Sequence, residues 1–178
     1  MGKRSNFERV ERDFYPTPRE AVDSLINHLP LHFTYAEPCA GDFALIGHIA
    51  DETGSYNAEG DPYAECSYAN DIILGADALN LTEKDVTDCD FIITNPPWTR
   101  NILHPLIDHF RLLRPTWLLI DGGWMFTKQA VPYLRYCSDI AVIGRLKWIP
   151  GSPYASKDDC CWYKFVDYET DTIFHGKT

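Results

Sequence analysis

No apolar run in the 178-residue sequence approaches the roughly 20 residues that a hydrocarbon core requires, so no transmembrane helix is expected. Positive charge is scarce: 16 Lys and Arg stand against 26 Asp and Glu, a net charge of −10. That balance argues against a broad phosphate-binding surface, because duplex affinity comes largely from cationic side chains. The six cysteines show no CxxC spacing, so a metal site is not expected and the thiols read as reduced and buried, as in a cytoplasmic protein. The start, Met1 to Asn6, is basic but is followed by no apolar segment and does not read as a signal peptide. GxGxxG is missing as well; the first strand–helix turn carries only Gly41, which gives little support to a pyrophosphate clamp. No internal repeat or low-complexity segment appears. The composition is 45% apolar, which together with the length predicts one domain with a real core.

What the sequence does have is Asp90-Phe91-Ile92-Ile93-Thr94-Asn95-Pro96-Pro97-Trp98. Phe91 to Thr94 are β-branched or aromatic, as a buried strand prefers. Pro96 and Pro97 cannot donate to a sheet ladder, so the strand stops there and leaves Asn95 and Trp98 on a stiff loop at its carboxyl end. Open α/β sheets bind ligands at that end. The Asn95 side-chain oxygen and the Pro96 carbonyl can together accept both hydrogens of a planar NH₂ group, and Trp98 offers a face for a heteroaromatic ring. Without the rest of the chain, an Asn-Pro-Pro turn with a packed Trp explains these residues equally well.

Around this stretch, strands and helices alternate. Residues 1–12 read as a flexible arm, 13–170 as one domain and 171–178 as a tail. Asp13 to Pro18 is a rigid leader in which Thr17 is expected to cap a helix opened by Pro18. Thr34 to Glu37 reads as a strand, Pro38 to Phe43 as a small-residue loop and Ala44 to about Ile49 as a helix. Glu37, at the strand's end, suits a cationic ligand. Tyr56 to Pro62 is read as the next strand and turn, with Glu59 eighteen positions after Gly41, near the spacing at which an acid holds ribose hydroxyls. Asp71 to Ala76 is read as a third strand. Asp71 is then only an opening residue, and Asp77 stands at the carboxyl end. Further elements are a helix from Ile102 to Leu113, a strand at Trp117–Asp121, a helix from about Lys128 to Tyr136, and strands at Ile140–Ile143 and Cys160–Val166. The loop between the last two carries Arg145, Lys147, Trp148 and Lys157, a combination of charge and stacking capacity. The final strand follows its neighbour without a helix, which predicts a mostly parallel seven-stranded sheet with an antiparallel last strand and helices on both faces.

In order along the chain, Phe14-Tyr15-Pro16-Thr17-Pro18, Glu37-Pro38-Cys39-Ala40-Gly41-Asp42, Glu59-Gly60-Asp61-Pro62, Asp77-Ala78 and Asn95-Pro96-Pro97-Trp98 resemble the class I S-adenosylmethionine-dependent methyltransferases. More narrowly they resemble the DNA adenine-N6 enzymes, particularly compact forms from bacteriophages and prophages. The resemblance covers nearly the whole chain. It implies a Rossmann-like fold, S-adenosylmethionine as cofactor with S-adenosylhomocysteine as product, and a cytoplasmic location, that of the bacterial host if the protein is phage-encoded. It also implies roles by residue. Tyr15 and Thr17 would contact the methionine part of the cofactor, with Glu37 by its amino group and Cys39, Ala40 and Gly41 as loop backbone. Glu59 would take the ribose, Gly60 and Ala78 would pack on the adenine, and Asp77 would accept from the adenine amine. Asn95 and Pro96, stiffened by Pro97, would bind the target amine beside the cofactor and Trp98 would stack on the base. Apart from the resemblance, Trp148 and Lys157 in the 145–157 loop are candidate substrate contacts, with a core Trp148 and a solvated Lys157 explaining them equally well.

Two features depart from that pattern. Many such DNA enzymes carry a separate target-recognition domain, for which these 178 residues have no room, and the acidity sits awkwardly with duplex binding. A dimer or a partner subunit could supply target recognition. Other acceptors fit the same tetrad: an RNA adenine, cytosine N4 or a protein glutamine. A catalytically inactive, cofactor-binding regulatory subunit is the reading from a different class.

Overall fold

The computed structural model describes residues 15–54, 60, 62–149, 151 and 153–177. Seven strands form one sheet: β1 (Phe33–Glu37), β2 (Ala64–Ala69), β3 (Phe91–Thr94), β4 (Thr116–Asp121), β5 (Cys137–Arg145), β6 (Asp159–Phe165) and β7 (Ile173–His175). Their order is β2-β1-β3-β4-β6-β5-β7. Only β6 runs against the others, wedged between β4 and β5, with Thr116 opposite Phe165 and Asp121 opposite Cys160. The expected antiparallel strand is therefore present, inside the sheet.

β3 and β4 are apolar runs because they are covered on both faces. On one face lie α1 (Arg19–Ile26) and α2 (Ala44–Thr53), which bury Ala21, Val22, Leu25, Leu45 and Ile49 against Tyr35, Ile93, Trp117 and Leu119. The Trp162 indole N–H donates to the Ala21 carbonyl at 2.7 Å and pins α1 to the sheet. On the other face α3 (Arg100–Leu113) packs Leu103, Leu106, Ile107 and Phe110 against Ala36, Ile92, Leu118 and Ile120. No helix among the described residues is long and apolar enough to cross a membrane.

Four local readings change. Ile72–Leu74 is a 3₁₀ turn, where a strand over 71–76 is expected. The Asp71 carboxylate accepts from the Ile73 N–H at 3.0 Å, and Gly75 at φ +96° closes the turn, so local capping wins over the β-propensity of Ile-Ile-Leu. The second strand is Ala64–Ala69; residues 55–59 and 61, on which the earlier strand-and-turn falls, lie outside the described residues. Thr17 does not cap α1, whose N-cap is Pro18. The 128–136 helix shrinks to α4 (Val131–Leu134). In addition, the segment read as a tail supplies β7, parallel to β5, with His175 Nε2 2.8 Å from Asp139 Oδ1.

Candidate active site

Because β1, β2, β3 and β4 are parallel neighbours, their carboxyl ends open onto one rim. The loop after β1 is tied to the end of β2 by three backbone-donated bonds. Asn70 N–H donates to Glu37 O at 3.1 Å, Ala40 N–H to Asn70 O at 2.9 Å, and Gly41 N–H to Asp71 Oδ2 at 2.9 Å. Gly41 (φ +54°) and Phe43 (φ +66°) are left-handed, which folds the loop sharply before α2.

Glu37 is 1% exposed, and its Oε2 has no hydrogen-bond partner among the described residues. Burial, reinforced by the nearby Asp42 and Asp71 carboxylates, holds its pKa well above the usual carboxylate range. None of these three acids forms an ion pair among the described residues. A buried, unpaired carboxylate of this kind is costly unless a cation comes to it. Burial also pushes the Cys39 thiol up to about 12, so Cys39 offers loop backbone rather than a thiolate.

At the end of β3 the Asn95 amide nitrogen donates to the Tyr15 carbonyl (3.4 Å) and the Thr17 hydroxyl (3.3 Å). With both N–H groups engaged by the leader, the side-chain oxygen is the free acceptor among the described residues. Pro96 is buried, which holds the loop in place. The Trp98 indole N–H donates to the Leu119 carbonyl on β4 at 2.9 Å, fixing its ring plane. Trp148 meets that ring edge-on (5.6 Å, 82°) and also meets Tyr15 (6.2 Å, 62°). Two residues before Trp148, the Leu146 carbonyl accepts from the Ser156 N–H at 2.8 Å.

The structure thus brings together Tyr15, Thr17, Asn95, Trp98 and Trp148 around one end, and Glu37, Cys39, Ala40 and Gly41 beside Asp71 around the neighbouring loop. Lys157 is exposed, and no described bond places it with Trp98 or Trp148. Asp77 does not close a strand; it caps a 3₁₀ turn at Ala78–Asn80 by accepting from Leu79 N–H at 3.0 Å. Glu59 lies outside the described residues. Gly60 precedes β2 with φ +90°, so it too is not at that strand's carboxyl end. The acid that the structure places there is Asp71, followed by Ile72 and Ile73, which are more than half exposed. Asp71 stands thirty positions after Gly41, against eighteen for Glu59.

No protein-family model matches the chain, and no curated protein does. Solved structures do. A type I restriction-modification methyltransferase subunit from Streptococcus thermophilus matches over 92% of this chain with a TM-score of 0.53 at 11% identity. The type IIG restriction endonuclease BpuSI matches over 89% with a TM-score of 0.56 at 14% identity. The fold is that of the class I methyltransferases. This chain spans 47% and 26% of the lengths of those two structures. A predicted O-methyltransferase from Agrobacterium tumefaciens is covered over 86% of its own length, and 90% of this chain, with a TM-score of 0.53 at 12% identity. The class I methyltransferase fold therefore frames the Glu37–Asp71 loop and the Asn95–Trp98 loop as adjoining parts of one strand-end rim.

Proposed function

We propose that this chain is an S-adenosylmethionine-dependent N-methyltransferase whose acceptor is the exocyclic amine of a nucleobase, adenine N6 in DNA foremost. The observation that carries this reading is Asn95, whose amide nitrogen is tied to the leader while its oxygen stays available at the end of β3. A pinned acceptor next to a prolyl carbonyl suits an NH₂ group held so that its lone pair can attack. Two of the similar structures are, by their descriptions, a restriction-modification methyltransferase subunit and a restriction endonuclease, which supports a nucleic acid acceptor.

The residues fit the cofactor. Glu37, buried and with its Oε2 unpartnered among the described residues, would take the ammonium group, with the Cys39–Gly41 backbone alongside. Asp71, at the carboxyl end of β2, would hold the ribose as Glu59 is expected to, and the exposed Ile72 and Ile73, with Asp77 and Ala78 on the following turn, would offer surface for an adenine ring. S-adenosylmethionine, when bound, supplies an electrophilic sulfonium methyl group. Asn95 Oδ1 and the Pro96 carbonyl orient the target nitrogen toward it, and Trp98, its plane fixed by Leu119, stacks on the base. The amine becomes acidic as its new bond to carbon forms, so no strong base is required. Trp148, edge-on to Trp98, would close the far side of the base pocket. Target recognition by a second copy or a partner subunit belongs to the same proposal.

Asp71→Asn weakens cofactor binding by about 10- to 100-fold, since a hydrogen bond to a charged group contributes on the order of 1.5–3 kcal/mol; titration calorimetry reads it. The function itself is tested with methyl-labelled S-adenosylmethionine and duplex DNA, denatured DNA or RNA as acceptor. Label in nucleic acid supports the proposal. Cofactor binding with no nucleic acid labelled contradicts it and favours a protein acceptor or a regulatory role.

A further inference from the structure

The turn after β4 displays an aromatic ring that the fold does not use. Phe126 is 85% exposed, more than any other large apolar side chain among the described residues. Its surroundings, by contrast, are fixed. Asp121 Oδ1 accepts from the Gly123 N–H at 2.8 Å. A Cβ on Gly122 would meet the Asp159 carbonyl at 3.1 Å, so the turn sits directly on the start of β6. Trp124 is buried edge-on against Tyr163 and Phe165 and donates its indole N–H to His104 Nε2 at 3.2 Å. Thr127 returns both its N–H (3.0 Å) and its hydroxyl (2.8 Å) to the Trp124 carbonyl, and Ala130 is buried. Phe126 is thus held out to solvent by a rigid 3₁₀ turn rather than by a slack loop.

The turn also borders the proposed base pocket. Trp98 is held by the Leu119 carbonyl, and Leu119 lies three residues before the turn begins at Gly122. Arg100, two residues beyond Trp98, donates to the Gln129 side chain, which joins the two loops. Arg100 and Lys128 are exposed cations on the two loops, while Asp121, Asp158 and Asp159 gather at the β6 side of the turn.

We infer that Phe126 is a wedge that enters a nucleic acid duplex and fills the space left when the target base swings out to Trp98. The inference rests on the nucleobase reading above. Chemistry on a paired base requires its removal from the stack, and a rigidly held apolar side chain beside the base pocket is suited to unstacking a base step. A wedge acts only where there is a stack to open. Its loss therefore has no consequence for an acceptor that is already unpaired.

The test compares native with heat-denatured genomic DNA, which present the same sequences, as acceptors for labelled methyl groups. Extrusion costs a few kcal/mol, so Phe126→Ala lowers the rate on native DNA by about 10- to 100-fold and leaves denatured DNA nearly unaffected. Phe126→Leu retains most of the native-DNA rate. The fluorescence rise of 2-aminopurine DNA on binding, a readout independent of methylation, is diminished in Phe126→Ala. Equal losses on both acceptors, or no loss on either, overturn the wedge while leaving the nucleobase reading intact. Wild-type protein that labels only denatured DNA overturns the wedge as well, and protein that labels neither overturns the nucleobase reading with it.

Discussion

Replacing Asn95 by alanine is expected to cut methyl transfer by roughly 10²–10³-fold, the usual cost of removing one preorganised polar contact from a reacting group. Cofactor affinity should change less, through loss of the amide ties to Tyr15 and Thr17, because the oxygen would face the acceptor. Asn95→Asp separates the two halves of the amide. It keeps an acceptor oxygen but cannot donate to the Tyr15 carbonyl and the Thr17 hydroxyl. Its rate should fall between those of the alanine variant and the wild type, with the leader less firmly held. Single-turnover rates with saturating cofactor, set beside binding constants from calorimetry, distinguish these effects. An alanine variant with wild-type turnover would remove Asn95 from the chemistry.

Glu37→Gln is expected to make the protein more stable and less able to bind its cofactor. Burial and two neighbouring acids raise the Glu37 pKa, so over a range of pH the folded chain keeps a proton that the unfolded chain has lost. Stability linked to this group is complete below the unfolded value, near 4.5, and is lost as pH rises through the folded value. Gln does not titrate and escapes that loss. The variant's advantage should therefore be small near pH 4.5 and grow toward pH 8. A gain of about 1 kcal/mol corresponds to a Tm rise of about 2–4 °C in a chain of this size. Cofactor binding moves the other way, because Gln cannot pair with an ammonium group. In the wild type, binding should tighten with rising pH, since a charged ligand at Glu37 displaces its proton. Thermal melts and titrations across pH check both halves, and a variant that melts lower at pH 8 than the wild type would contradict the account of the unpaired carboxylate. A site that costs stability and is relieved by its ligand fits the common trade between function and stability.

Much of this arrangement was legible in the sequence because it rests on abrupt local signals. The change from Phe91-Ile92-Ile93 to Asn95-Pro96-Pro97 ends a buried strand unambiguously, and Glu37 before Pro38 does so at β1. The antiparallel β6 was readable from the missing helix between β5 and β6. Where the reading slipped, competing interactions were close in energy or non-local. Ile72-Ile73-Leu74 has the composition of a strand, but Asp71 caps a turn there, and the true strand, Ala64–Ala69, contains Glu65 and Ser67 on its exposed side. β7 is three residues long and is held partly through His175 and Asp139, thirty-six positions apart, which no local pattern announces. Likewise the hydroxyl of Thr17 looks like a helix cap from its neighbours alone, and only the folded chain brings it to Asn95.

In the proposed function, Asn95 and Pro96 capture an amine nitrogen. The most direct measurement is the chemical position of the transferred methyl group, found by enzymatic digestion of the labelled acceptor and separation of its nucleosides. Label is expected on an exocyclic nitrogen, as N6-methyladenine from DNA. Label on a ring carbon, a ring nitrogen or an oxygen would contradict that role, because none of those atoms presents the two hydrogens that the Asn95–Pro96 pair would accept.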